Sequence, residues 1–154
     1  MYSKEQLREI RTQFWADFKK HMQKHRSSNG RRMNWINYPS EVDFIFIRLH
    51  AENHGIAFSF DIQGKDAGIR AIVWEQMTEL KSVLESEMGT DGMWLEHQFS
   101  ESVPEFSSIR WEKDGLRFSN PTHQQEIFEF FEDRLVKFDT FYQEFKDILI
   151  TLTT

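Results

Sequence analysis

The chain has 154 residues, a net charge of −6, fifteen phenylalanines, five tryptophans, three prolines and no cysteine. That is enough bulky apolar material for one domain over residues 1–154 that buries about two-thirds of its unfolded surface, and it excludes a disordered or low-complexity chain. It also excludes a disulfide framework and a thiolate metal site, and no apolar run approaches the ~20 residues that cross a bilayer.

The first predicted element is an amphipathic helix. Ser3 and Gln6 have the spacing of a capping box, and Leu7, Ile10, Phe14, Phe18 and Met22 recur at three and four residues along one face. Trp15 widens that face. The run Ser27-Ser28-Asn29-Gly30 is expected to stop the helix, with Asn29 or Gly30 in the left-handed cap. Charge is distributed unevenly about this point. Residues 1–32 hold nine Lys/Arg and three Asp/Glu, a balance of +6, whereas residues 33–154 hold ten and twenty-two, a balance of −12. Lys19, Lys20, Lys24, Arg26, Arg31 and Arg32 form a block with no acid among them. Such a block serves a nucleic acid, an acidic protein partner or the chain's own acidic surface.

Met33 to Tyr38 is expected as a short strand ended by Pro39. Two alternating runs follow, Phe44 to His50 and Ile56 to Ile62, joined by a turn through Ala51-Glu52-Asn53-His54-Gly55. The apolar positions Ile45, Ile47 and Leu49 lie on the same face as Ile56, Phe58, Phe60 and Ile62 only if odd residues pair with even ones. The opposite face then gathers Phe44, Phe46, Arg48 and His50 with Ala57, Ser59 and Asp61. A second helix is expected from Asp66, as N-cap, through Ile69, Val73, Met77, Leu80 and Leu84 to Gly89. Met93 to Phe99 and Phe106 to Glu112 are a second strand pair, with a further short strand at Leu116 to Ser119. Asn120 or Thr122 caps the last helix, whose apolar positions from Phe128 to Leu152 step alternately by three and four. The expected class is α+β, in the order α-β-β-β-α-β-β-α. A largely antiparallel sheet is covered by an N-terminal, a central and a long C-terminal helix.

Several strings resemble a bacterial family known as domain of unknown function 4268. They are Phe14-Trp15, Asn34-Trp35-Ile36-Asn37-Tyr38, Phe46-Ile47-Arg48, Phe58-Ser59-Phe60-Asp61-Ile62 and Gly68-Ile69 followed by Glu75-Gln76. The resemblance covers nearly the whole chain, and the Asn-Trp-Ile-Asn-Tyr string is its most specific part. Asp61 stands where it implies a glutamate. Family members occur alone or beside restriction-endonuclease-like domains, which implies DNA-related work by association. It brings no catalytic residues with it.

Three functional readings follow. In the first, the chain is a non-catalytic binding module. Lys19, Lys20, Lys24, Arg26, Arg31 and Arg32 neutralise phosphates, Trp35 and Tyr38 stack on unpaired bases, and Arg48 and His50 add polar contacts. In the second, the chain is a metal-dependent nuclease-like enzyme whose Mg²⁺ site uses Asp43 and the pair Asp61 and Gln63, with Glu9 contributing from the first helix. The lysine such a site needs is missing, and Asp61 has an alternative cross-strand partner in Arg48. In the third, the chain is a scaffold that forms a homodimer through the last helix. His21 and His25, four apart on a helix, are spaced for a metal but have no acid near them in sequence. No metal or cofactor is expected, no membrane partner, and the N-terminal residues lack the apolar core of a signal peptide, which points to the cytoplasm. The balance of these readings is non-catalytic.

Overall fold

The computed structural model describes all residues from Met1 to Thr154. Its elements are α1 (Lys4–Met22), β1 (Ile45–Ala51), β2 (Gly55–Ile62), α2 (Ala67–Glu79), α3 (Lys81–Met88), β3 (Met93–Gln98), β4 (Phe106–Asp114), a 3-10 turn (Pro121–His123) and α4 (Gln124–Leu152). The fold is α+β in the order α-β-β-α-α-β-β-α, with one antiparallel sheet ordered β1-β2-β4-β3.

The hairpin register follows the apolar parity. Ile45 pairs with Ile62, Ile47 with Phe60 and Leu49 with Phe58, which places every large aliphatic or aromatic residue of the two strands' core side on one face. β4 continues that face with Ile109 and Trp111, opposite Phe60 and Phe58. A single apolar core gathers these residues with Phe14 and Phe18 of α1, Val73 and Met77 of α2, Leu84 and Met88 of α3, and most of the α4 seam. Ala57, buried but on the other face, is not part of it. The sheet therefore has one face under the helices and one face without them.

α1 and α4 lock through aromatic side chains. Phe18 meets Phe128 and Phe131 edge-on, with ring centroids 5.2 and 5.6 Å apart, and Trp15 stacks on Phe131 at 5.8 Å. Phe18 has no exposed surface. Its truncation to Ala costs about 3–5 kcal/mol, the range for a buried aromatic that leaves a cavity. Most of the α4 seam is consumed inside the chain, since Phe128, Phe131, Leu135, Phe138, Tyr142 and Leu149 are buried against its own sheet and helices, while Leu152 at its far end is exposed.

Local signals at element ends hold at several points. Ser3 and Gln6 exchange the two bonds of a capping box, Asp66 accepts from the amides of Gly68 and Ile69, and Gly89 takes φ +76° after α3. Four expectations fail. Met33 to Tyr38 is not a strand: Asn34 Oδ1 accepts the Asn37 amide at 3.1 Å and closes a turn, so the backbone is bent where aromatic content suggests extension. α1 ends at Met22 rather than near Ser27, because Ser27 and Ser28 are bonded to α4 instead of to the preceding turn. The central helix breaks at Leu80, whose amide is shared among the carbonyls of Gln76, Met77 and Thr78 in a tightened turn. Leu116 to Ser119 forms no strand, although Leu116 and Phe118 are buried; Gly115 at φ +85° turns the chain away from the sheet.

Candidate functional site

The site is built on the polar flank of α4. Beside the apolar seam, residues 132, 139 and 146 recur every seven positions, so all three lie along one line of the helix. Each holds a successive piece of the segment between α1 and β1. Glu132 takes His21 Nε2 at 2.7 Å on one oxygen, and Lys24 Nζ at 3.2 Å together with His25 Nε2 on the other. Burial alone would raise the Glu132 pKa, but hydrogen bonds from His25, His21 and Lys24 outweigh it and hold the carboxyl at about 2. Asp139, 2 % exposed, accepts from Ser27 Oγ at 2.8 Å, the Ser28 amide at 2.7 Å and the Tyr38 hydroxyl at 2.6 Å. Lys146 pairs with Glu41, the one non-glycine residue at positive φ.

Two neighbours complete the clamp. The Tyr142 hydroxyl donates to the Ser40 carbonyl at 2.6 Å, and Gln143 Nε2 donates to the Tyr38 hydroxyl at 2.8 Å. Burial, reinforced by Asp139, pushes Tyr38 well above the usual phenol range, so the hydroxyl remains a donor at any physiological pH. Burial does the same to Tyr142.

Held this way, the segment lies back over the end of α1 and encloses an open cavity of about 780 Å³. Lys19, Gln23, Arg26, Arg32, Asn34 and Asn37 supply its polar lining, and Met22, Met33, Trp35 and Ile36 its apolar lining. Lys19, Arg26 and Arg32 have no carboxylate within 4.0 Å. Arg26 makes only a long 3.4 Å contact to the Gly30 carbonyl. The basic block is thus divided. Three members converge on the cavity, Lys20 and Arg31 are exposed outside its lining, and Lys24 is occupied by Glu132.

Trp35 and Tyr38 are 5 % and 4 % exposed, which corrects the expectation that they stack on bases. Trp35 Nε1 points to the His25 carbonyl at 3.4 Å, and the Tyr38 ring packs edge-on against Phe138. They are the wall and the anchor of the cavity.

The second polar region lies on the sheet face that carries no helix. Asp61 Oδ2 accepts from Arg48 Nη1 and Ser59 Oγ, each at 3.2 Å, and Asp61 Oδ1 accepts from Ser108 Oγ at 2.6 Å. Arg48 Nη2 reaches Gln63 Oε1 at 3.2 Å, and His50 Nε2 lies 2.8 Å from Ser59 Oγ. Burial, then the Arg110 and Arg48 charges, keep His50 below the usual imidazole pKa against the opposing pull of Asp61. Ser59, Asp61 and Ser108 are almost fully covered by their neighbours. Asp43 is exposed and makes no bond with this network. No group of three or more His, Cys, Asp or Glu side chains is arranged to hold a metal ion. His21 and His25 do share an acid, Glu132, but the Lys24 ammonium shares it with them.

Glu132, Asp139, Tyr142 and Gln143 escape a reading of the sequence as site residues. The signal that marks the first two is the seven-residue recurrence of charged side chains beside an apolar seam. No helix is long and apolar enough to cross a membrane. No curated protein and no solved structure matches the chain. A family model does match: residues 10–146 fit the family described as Domain of unknown function (DUF4268), and the chain belongs to that family.

Proposed function

We propose that this chain is a non-catalytic binding module that engages the phosphates of a nucleic acid in the cavity at the end of α1. One observation carries the reading: Lys19, Arg26 and Arg32, all without carboxylate partners, converge on a single concavity with the amide side chains of Gln23, Asn34 and Asn37. Unpaired cations around a hollow are donors waiting for an acceptor, and phosphate oxygens match both their charge and their geometry. The buried Trp35 and Tyr38 offer no face to a base, so recognition rests on the backbone rather than on stacking. Residues 33–154 carry a balance of −12, which repels a long polyanion and keeps the footprint to a few phosphates.

A nuclease built on Asp43 and Asp61 has weaker support, because both Asp61 oxygens are occupied and Asp43 lies outside the network. A scaffold joined through α4 has weaker support too, since most of its seam is spent within the chain.

The test is anisotropy of a short labelled oligonucleotide titrated with the full chain over a range of salt. The expected result is binding whose log–log salt slope is about −2 to −3, as for three phosphate contacts. The triple variant Lys19→Glu, Arg26→Glu, Arg32→Glu keeps its thermal melt and loses at least ~tenfold in affinity. Absence of binding at low salt, or unchanged binding by the folded triple variant, overturns the reading.

A further inference from the structure

β1 is an edge of the sheet, and its pairing with β2 decides which of its backbone groups point outward. The Gln63 amide donates to the Phe44 carbonyl at 2.8 Å, and the Glu52 amide donates to the Gly55 carbonyl at 3.0 Å. Even-numbered residues of this stretch therefore face β2, and in an antiparallel ladder the alternate residues turn N–H and C=O the other way. Ile45, Ile47, Leu49 and Ala51 face outward.

The two ends of this edge are closed. The Ile45 amide donates to the Val42 carbonyl at 3.0 Å, and the Ile45 carbonyl accepts from Ser40 Oγ at 2.6 Å. The Ala51 carbonyl accepts from Arg11 Nη1 at 2.9 Å. Between them, the N–H and C=O of both Ile47 and Leu49 lack a partner on the outer side. These four groups open on a hollow of about 300 Å³, whose other wall is Arg11 and Trp15 of α1 with Ile36 and Asn37.

We propose that this hollow is a strand-addition site that takes one extended peptide segment, antiparallel to β1, with the pattern apolar–acid–apolar. The two outer residues of that triplet pair their backbones with Leu49 and Ile47, and their side chains turn to the core side, toward Trp15 and Ile36. The middle residue turns to the open face, beside Arg48. Arg48 is suited to an acid there: its two terminal nitrogens hold Asp61 and Gln63, its side chain is 38 % exposed, and the rest of its five N–H donors are available. A second copy of this chain fits less well. Antiparallel pairing of β1 with itself through Ile47 and Leu49 would set Arg48 directly opposite its own counterpart, a like-charge pair on one face.

The site shares Ile36 and Asn37 with the cation-lined cavity but none of its cationic residues. The probe is a labelled synthetic peptide with an Ile-Glu-Val centre in a Gly/Ser frame, titrated against the full chain. The expected result is saturable binding that falls about tenfold when the central Glu is replaced by Lys, or when Arg48 is replaced by Gln. Methylation of the two peptide nitrogens that face β1 abolishes it. Leu49→Pro removes one outward N–H and none of the bonds to β2, so it weakens binding in a chain that still folds. The triple Lys19/Arg26/Arg32 variant binds the peptide like the parent, which separates this site from the nucleic-acid reading. Equal binding of the methylated peptide, or none of the unmodified one, overturns the proposal even if Leu49→Pro fails to fold. A solution mass of two chains that falls to one in Leu49→Pro also overturns it, by assigning the edge to a second copy.

Discussion

The end of α1 and the open face of the sheet both gather arginine, histidine and hydroxyl groups, yet they are completed in opposite ways. On the sheet face, every donor that reaches inward meets an acceptor: Arg48, Ser59 and Ser108 divide the two oxygens of Asp61, and His50 meets Ser59. At the end of α1, the acceptors are spent on two histidines, a lysine, two hydroxyls and a backbone amide, and Lys19, Arg26 and Arg32 are left facing a hollow. A satisfied network rigidifies the protein, and what it still offers a ligand is confined to its exposed rim, here the outer donors of Arg48. An unsatisfied set of cations around a concavity contributes little to folding and keeps its capacity for an anion. Polar residues alone do not mark a site; their unspent hydrogen-bonding and charge do.

The contrast breaks most severely at Asp139. Asp139→Ala leaves Ser27, the Ser28 amide and the Tyr38 hydroxyl without their acceptor, and urea unfolding should register a loss of about 3 kcal/mol. Because those groups hold the cavity wall, oligonucleotide binding falls with stability, and it falls even where the variant is still folded. Next comes Glu132. Its carboxyl titrates at about 2 when folded, against 4.5 when free, so its contribution is fully present above pH 4.5 and is lost as pH falls toward 2. That contribution amounts to about 3 kcal/mol at most. Denaturation of Glu132→Gln across this window should show its gap from the parent closing as the pH drops.

Asp61→Ala is smaller, about 2 kcal/mol, because exposed Arg48 recovers water while Ser59 and Ser108 do not. It leaves oligonucleotide affinity unchanged, which is the sharpest separation of the two regions. His50 adds a pH signature to the same face. Its folded pKa lies below 6.5, so the unfolded chain binds the extra proton and stability falls as pH drops below that value. His50→Gln removes this limb of the stability–pH curve. Smallest in stability is Arg32→Ala, within ~0.5 kcal/mol of the parent, with a salt slope of oligonucleotide binding shallower by about 1.

What the sequence discloses and what it conceals divide along the range of the interactions. The pairing of Ile45, Ile47 and Leu49 with Ile62, Phe60 and Phe58 is legible because alternation within eight residues allows only one parity. The caps at Ser3, Asp66 and Gly89 are legible because their partners are two to four residues away. The segment Met33 to Tyr38 misleads: its aromatic residues have strand propensity, but their destination is set by Asp139, Tyr142 and Gln143, about a hundred residues later. Asp139 is hidden for the same reason. It reads as one more acid on an amphipathic helix until the serines and the tyrosine that bury it are in place. The basic block is visible as a composition, whereas its division into three free cations, one paired lysine and two outlying residues requires the fold.

The line of polar positions on α4 also orders events in time. Ser27, Ser28 and Tyr38 precede Asp139 by 101 to 112 residues, and Ser40 precedes Tyr142 by 102. On the ribosome the cavity-forming segment is made about a hundred residues before its clamp. Contacts of such long separation close late, after the loop between them has been drawn in. A nascent chain that has not yet finished α4 therefore exposes its cationic residues on a loose tether with no cavity to organise them. On the reading proposed above, ligand capture waits for α4, and a pulse-labelled oligonucleotide would serve as a clock for that folding step.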